Sequence, residues 1–140
     1  MERYYTTKEQ SKELLKLGLN PETADMCFEY QKAHWPDEPA YLDWPQCYKK
    51  HDKQDIPCWS LVALLNLIPN FELIAHDIAN GRFRNYYIDS GFHQTEFKTS
   101  LIDSAFDMVV YLLKCEKQFG KDGTYMKTRN IVSNENEPNN

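Results

Sequence analysis

Cys58 is the residue of this 140-residue chain best placed to do chemistry. It lies just before a helix start, with Ser60 as the cap and an apolar run from Leu61 to Ile68 behind it. A thiol at a helix N-terminus can have a lowered pKa and act as a nucleophile. It then needs a base within hydrogen-bond reach, for which His76 or His93 on the following strands would serve. Metal binding is the second chemistry. Cys47, His51 and Cys58 share one loop, with Cys27 and His34 upstream. Zinc sites use tight ligand pairs, and only Cys47-x₃-His51 comes near that spacing, so no metal is expected. A third constellation is acidic: Asp37, Glu38 and Asp43 flank Trp35 and Trp44, as in a sugar-binding groove. Glycosidases hold two carboxylates at a fixed gap, whereas acidic loop residues are ordinarily just solvated. There is no phosphate loop, dinucleotide fingerprint, G-x-S-x-G or kinase signature, and no cofactor is expected.

The Cys58-Trp59 pair at a helix start, with Gln54 upstream, resembles papain-like cysteine hydrolases. That likeness implies Cys58 as nucleophile and His76 as base. The Gln-to-Cys spacing is shorter than in that family, and its Gly-rich context is absent. The plainer reading has Cys58 and Trp59 packing the loop onto the helix. A binding surface is the stronger expectation. The loop from Ala33 to Pro57 carries Trp35, Tyr41, Trp44 and Tyr48 among prolines, with Trp59 just beyond it. Tyr and Trp are common interface anchors, and long loops tend to carry function.

Composition narrows the partners. The net charge is −5, so the chain lacks the electrostatic attraction to phosphate on which nucleic-acid binding depends. Neither nucleic acid nor membrane is expected as a partner; a protein partner or a homodimer is. The N-terminus has no apolar signal-peptide core, and the longest apolar run is too short to cross a bilayer. A cytoplasmic protein with reduced thiols is the expectation. Aromatics reach 14%, enough to build a large core or a sticky surface.

These residues need a scaffold, and its local signals are clear in places. Thr6 and Thr7 each precede Glu9 or Gln10 at capping-box spacing, and a helix through Leu14, Leu15 and Leu17 stops at Gly18. Asn20-Pro21-Glu22 opens a short turn ending near Met26. Residues 26–31 alternate as a short strand. Periodicity fails from Ala33 to Pro57, where two Trp-Pro pairs indicate an extended loop. Ser60 caps a nearly all-apolar helix, expected to be buried, from Leu61 to about Leu67. Phe71–His76, Phe83–Asp89 and Phe92–Phe97 read as three strands of an antiparallel meander. The last helix opens at Ser100-x-x-Asp103. It shows Ile102, Ala105, Phe106, Val109, Leu112 and Leu113 on one face and stops at Gly120. The pattern predicts an α+β fold, a small antiparallel sheet of three to four strands with helices packed on one face. It predicts a single domain over residues 1–128 and a polar, disordered tail over 129–140.

Three stretches resemble a known family. They are Thr7-Lys8-Glu9-Gln10-Ser11 through Pro21-Glu22-Thr23-Ala24-Asp25-Met26, Pro57-Cys58-Trp59-Ser60-Leu61-Val62-Ala63-Leu64-Leu65, and Ser100-Leu101-Ile102-Asp103-Ser104-Ala105-Phe106-Asp107-Met108-Val109. They are similar to blocks of a family of small proteins from gut anaerobic bacteria and their phages and mobile elements. The family has no established activity, so the resemblance implies a genomic setting and no catalytic residue. A looser likeness to HicB-type antitoxins concerns only a small antiparallel sheet running into a capped helix. The expectation is a non-enzymatic accessory or protein-interaction domain, with the Cys58 hydrolase as the alternative.

Overall fold

The computed structural model describes residues 3–30, 37–42, 55–78, 83–91, 93–96, 98 and 100–119. Helix α1 spans Lys8–Lys16. Of the two threonines that offer a cap, Thr7 is used. Its hydroxyl accepts the Gln10 amide at 3.0 Å, and the Gln10 side chain accepts the Thr7 amide at 3.0 Å, which closes a capping box. At the other end Gly18 adopts φ +95°. The Gly18 amide reaches the Leu15 carbonyl and the Leu19 amide the Leu14 carbonyl, each at 3.0 Å. That is a Schellman closure, and it brings Leu14 and Leu19 into one buried cluster. A 3₁₀ turn, Pro21–Thr23, follows, capped by the Asn20 side chain.

The fold holds a small antiparallel sheet of three strands, within the expected range, and a second sheet of two. The first has the order β2-β1-β3, from Met26–Phe28 (β1), Ala40–Tyr41 (β2) and Ile56–Cys58 (β3). Met26 stands opposite both Tyr41 and Cys58. Two of these strands lie in the stretch expected to be an extended loop. Strands of two and three residues are too short to display a period of two.

Helix α2 is Leu61–Leu65, capped by the Ser60 hydroxyl, which accepts the Ala63 amide at 3.2 Å. It is not wholly buried as expected: Ala63 and Leu64 face the core, while Val62 stays 64% exposed. The second sheet is the hairpin Glu72–Ile78 (β4) and Phe83–Asp89 (β5), paired through seven consecutive positions. Where the third strand, Phe92–Phe97, was expected, the described residues form isolated bridges, Asp89 to Gln94 and Tyr86 to Lys98. The register slips by one residue between those bridges, so one extra residue interrupts the ladder as in a bulge.

Helix α3, Leu101–Phe119, lies across β5 and α2. Ile102, Ala105, Met108, Val109, Leu112 and Leu113 are fully buried with Trp59, Leu64, Ile68 and Ile88. Each large apolar side chain buried this way contributes about 1.5–3 kcal/mol. Phe106, expected on the inner face, is half-buried, and Met108 takes a core position instead. His93 stacks on Tyr111 of α3 with ring centroids 3.5 Å apart, and burial holds its pKa below the usual histidine value. The fold is α+β. No helix among the described residues is long and apolar enough to cross a membrane. The expected tail over 129–140 lies outside the described residues.

Candidate functional site

The Cys58-Trp59-Ser60 stretch is held from its other side by the N-terminal segment. Tyr5 bridges Ser60 in antiparallel fashion. The Thr6 amide donates to the Trp59 carbonyl at 2.9 Å and the Leu61 amide to the Tyr4 carbonyl at 2.8 Å. This places the fully buried Thr6 beside Cys58. The Thr6 hydroxyl accepts the Trp59 amide at 3.1 Å and lies 2.8 Å from Ser11 Oγ and 3.5 Å from Cys58 Sγ. The Cys58 thiol donates to the Thr6 carbonyl at 3.3 Å. Thr6 is therefore a hub joining the N-terminal segment, α1 and β3.

This environment opposes nucleophilic chemistry. Cys58 has no solvent exposure. Burial pushes its thiol up to about 12; the Asp25 carboxylate adds to this, and the hydrogen bonds with Thr6 and Ser11 only partly oppose it. The thiol stays protonated at neutral pH and out of reach of a substrate. The helix behind it is a single short turn, too little to offset the loss of water. The described part of His76 is its place in β4, opposite Asn85.

Neighbouring polar groups are likewise committed to holding the fold. Asp25 accepts both the amide and the hydroxyl of Ser60. The Trp59 indole N–H donates to Thr23 Oγ1 at 2.8 Å, and Thr23 donates on to the Asn20 carbonyl at 2.7 Å. Trp59, expected as a binding anchor, is thus corrected to a core residue with no exposed surface. Its ring belongs to the main buried cluster, and its one polar atom has a partner inside. Arg3 donates to Asp103 at 2.8 Å, and Gln10 donates to the same carboxylate oxygen at 2.8 Å, tying the N-terminal segment and α1 to α3.

The exposed chemistry lies on the outer side of this latch. Tyr41, on β2, is 57% exposed, and Tyr4 is 46% exposed. The two rings are neighbours: desolvation first, and the electrostatic influence of the nearby Tyr4 hydroxyl second, raise the Tyr41 pKa. Tyr4 also meets Tyr5 edge-on with centroids 5.3 Å apart, and Tyr5 meets Phe28 at 6.4 Å. Val62 of α2, 64% exposed, is a further exposed large apolar side chain. Beside Tyr5 and Phe28 is a cleft of about 210 Å³, rimmed by Arg3, Lys8 and Asp37. The Lys8 ammonium sits 5.6 Å above the Phe28 ring.

Of the expected binding residues, Tyr41 is on this surface, while Trp35, Trp44 and Tyr48 lie outside the described residues. Cys47, His51, His34 and Asp43 lie outside them too. Among the described residues no group of three or more His, Cys, Asp or Glu side chains could hold a metal ion. Sequence reasoning missed Tyr4, Thr6 and Asp25. Each acts on a partner more than thirty residues away, so no local spacing marks it. The site and fold together define an α+β domain with an inert buried thiol and an outward aromatic row. No family model, curated protein or solved structure matches this chain.

Proposed function

We propose that this chain is a non-enzymatic protein-interaction domain, serving as an accessory protein of a bacterial mobile element or phage. The observation that carries the interaction reading is the pair of exposed neighbouring tyrosines, Tyr4 and Tyr41. Tyrosine offers large, stiff, amphipathic contact area at low entropic cost, which is why it concentrates at interface hot spots. The pair is held at its base by the backbone pairing of Tyr4 to Leu61 and of Tyr41 to Met26, so little ordering is needed on docking. The genomic setting rests on the resemblance of the three sequence blocks. The hydrolase alternative loses support, because a thiol pushed up to about 12 with no exposure cannot attack a substrate.

The test is a quantitative pull-down from a host that carries the gene, comparing wild type with the Tyr4→Ala/Tyr41→Ala double variant. A partner retained by wild type and lost by the variant, with unchanged thermal stability, is the expected result. An identical set of retained proteins would remove this surface from the reading.

A further inference from the structure

The outer edge of β4 is a hydrogen-bonding template, and its polarity follows from the far side of the hairpin. The Tyr86 amide and carbonyl are both taken by Lys98, at 2.7 and 2.9 Å, and the Ile88 carbonyl accepts the Thr95 amide at 3.0 Å. Tyr86 and Ile88 therefore turn their backbone groups away from β4. In an antiparallel ladder these groups alternate in direction. The register then sets Asn85, Tyr87 and Asp89 to bond His76, Ile74 and Glu72. Leu73, Ala75 and Asp77 are left with amide and carbonyl pointing outward. Among the described residues, β5 is the sole strand paired with β4.

Most of the usual protections are missing from that edge, and the charged residues of β4 are Glu72 and Asp77. Natural edge strands are commonly protected by proline, charged side chains (lysine above all), a bulge, extreme shortness or a covering segment. Glu72–Ile78 contains no Pro, Gly or Lys, and its seven register positions run without a slip. The side that carries the open edge is also poorly covered. Leu73 stands opposite Ile88, so both side chains project from the same sheet face. Ile88 is completely buried under α3, yet Leu73 is 42% exposed and Ala75 is exposed. The helix covers β5 and stops short of β4.

We propose that a second copy of this chain occupies this edge, with β4 pairing antiparallel to β4 of the other copy about a two-fold axis at Ala75. The strand is self-complementary in that register. Positions 73, 75 and 77 meet 77, 75 and 73, so every outward amide finds an outward carbonyl. The central pair is alanine on alanine, the smallest fit. Charge placement agrees with it. Position 72 faces 78 and position 77 faces 73, so carboxylate never opposes carboxylate. The two Asp77 positions fall about 13 Å apart along the strands, beyond the screening length of about 8 Å at physiological salt. The product is a continuous β5-β4-β4-β5 sheet with Leu73 and Ala75 of both copies on one face. This contact is separate from the tyrosine surface and does not depend on it. One seven-residue edge buries less than a standard interface, so the association is weak and follows concentration, with Kd of roughly micromolar order.

Sedimentation velocity of the full chain, from low-micromolar to sub-millimolar concentration, reads the dimer directly. Wild type is expected to pass from monomer to dimer, while hydrogen exchange of the Leu73, Ala75 and Asp77 amides slows as it does. Ala75→Pro removes one outward amide and none of the bonds to β5, so it is expected to stay monomeric with the hairpin intact. The register has its own signature. Leu73→Asp sets like charges opposite each other at two symmetric positions and is expected to weaken the dimer roughly tenfold, whereas Leu73→Lys sets opposite charges there and is not. Tyr4→Ala/Tyr41→Ala is expected to leave the dimer constant unchanged. A wild-type chain that stays monomeric throughout overturns the proposal. So does a dimer that responds equally to Leu73→Asp and Leu73→Lys, or one in which those three amides exchange at the same rate at every concentration.

Discussion

Replacing Thr6 with valine keeps the shape of the side chain and removes its hydroxyl. In the folded protein that hydroxyl accepts the buried Trp59 amide at 3.1 Å and is bonded to the buried Ser11 hydroxyl at 2.8 Å. Valine leaves both groups without that partner and without water. A buried polar group left unsatisfied costs about 1–3 kcal/mol. Partial relaxation of the Ser11 rotamer offsets some of this, so the expected loss is about 2–4 kcal/mol. At roughly 3–5 °C per kcal/mol for a chain of this size, the melting point should fall by about 10 °C. Ser11→Ala should cost only about 1 kcal/mol, because Thr6 keeps its bond to Trp59. The double variant Thr6→Val/Ser11→Ala should then be less destabilised than the sum of the two, since removing Ser11 Oγ also removes a stranded group. Urea unfolding followed by Trp fluorescence measures all three. A Thr6→Val loss below about 0.5 kcal/mol, or strict additivity in the cycle, would refute Thr6 as the hub.

Cys58 should resist thiol reagents under native conditions and react only as fast as the chain opens globally. Its folded pKa of about 12 lies above the ordinary value of 9.0, so its contribution to stability is complete below pH 9 and is lost as pH rises toward 12. Unfolding free energy measured across that window should therefore fall more steeply for wild type than for Cys58→Ala, and parallel curves would count against the raised pKa. Gly18→Ala should cost about 1 kcal/mol, because the residue closes α1 at φ +95°, where a side chain is strained. An unchanged urea midpoint would remove that closure from the account.

Local signals were legible because their physics closes within a few residues. The Thr7–Gln10 box, the Gly18 stop, the Asn20-Pro21 turn and the Ser60 cap each need only groups two to five positions away. The inner face of α3 was legible for a related reason, since nineteen residues give a helical period room to repeat. Short strands give no such room. Ala40–Tyr41 and Ile56–Cys58 became strands because β1 lay between them, and that meeting depends on closing loops whose ends the local sequence does not specify. The isolated bridges beside β5 have a comparable cause: a one-residue slip in register is invisible in a pattern of alternating residues.

Cys58 shows where the division falls. Its residue type and its place before a helix were set by the sequence and suggested a nucleophile. Whether that thiol meets water or a hydroxyl from fifty-two positions away was decided by the N-terminal segment folding back beside β3. Trp59 and Tyr41 divide in the same way. Both are aromatic anchors by composition, yet one is sealed in the core and the other stands exposed on β2. The sequence by itself determined which helices form, where α1 stops, and that a core of this size exists. Tertiary structure alone decided which reactive or aromatic groups face out. Facing is a property of the partner across the contact, and those partners lie far along the chain.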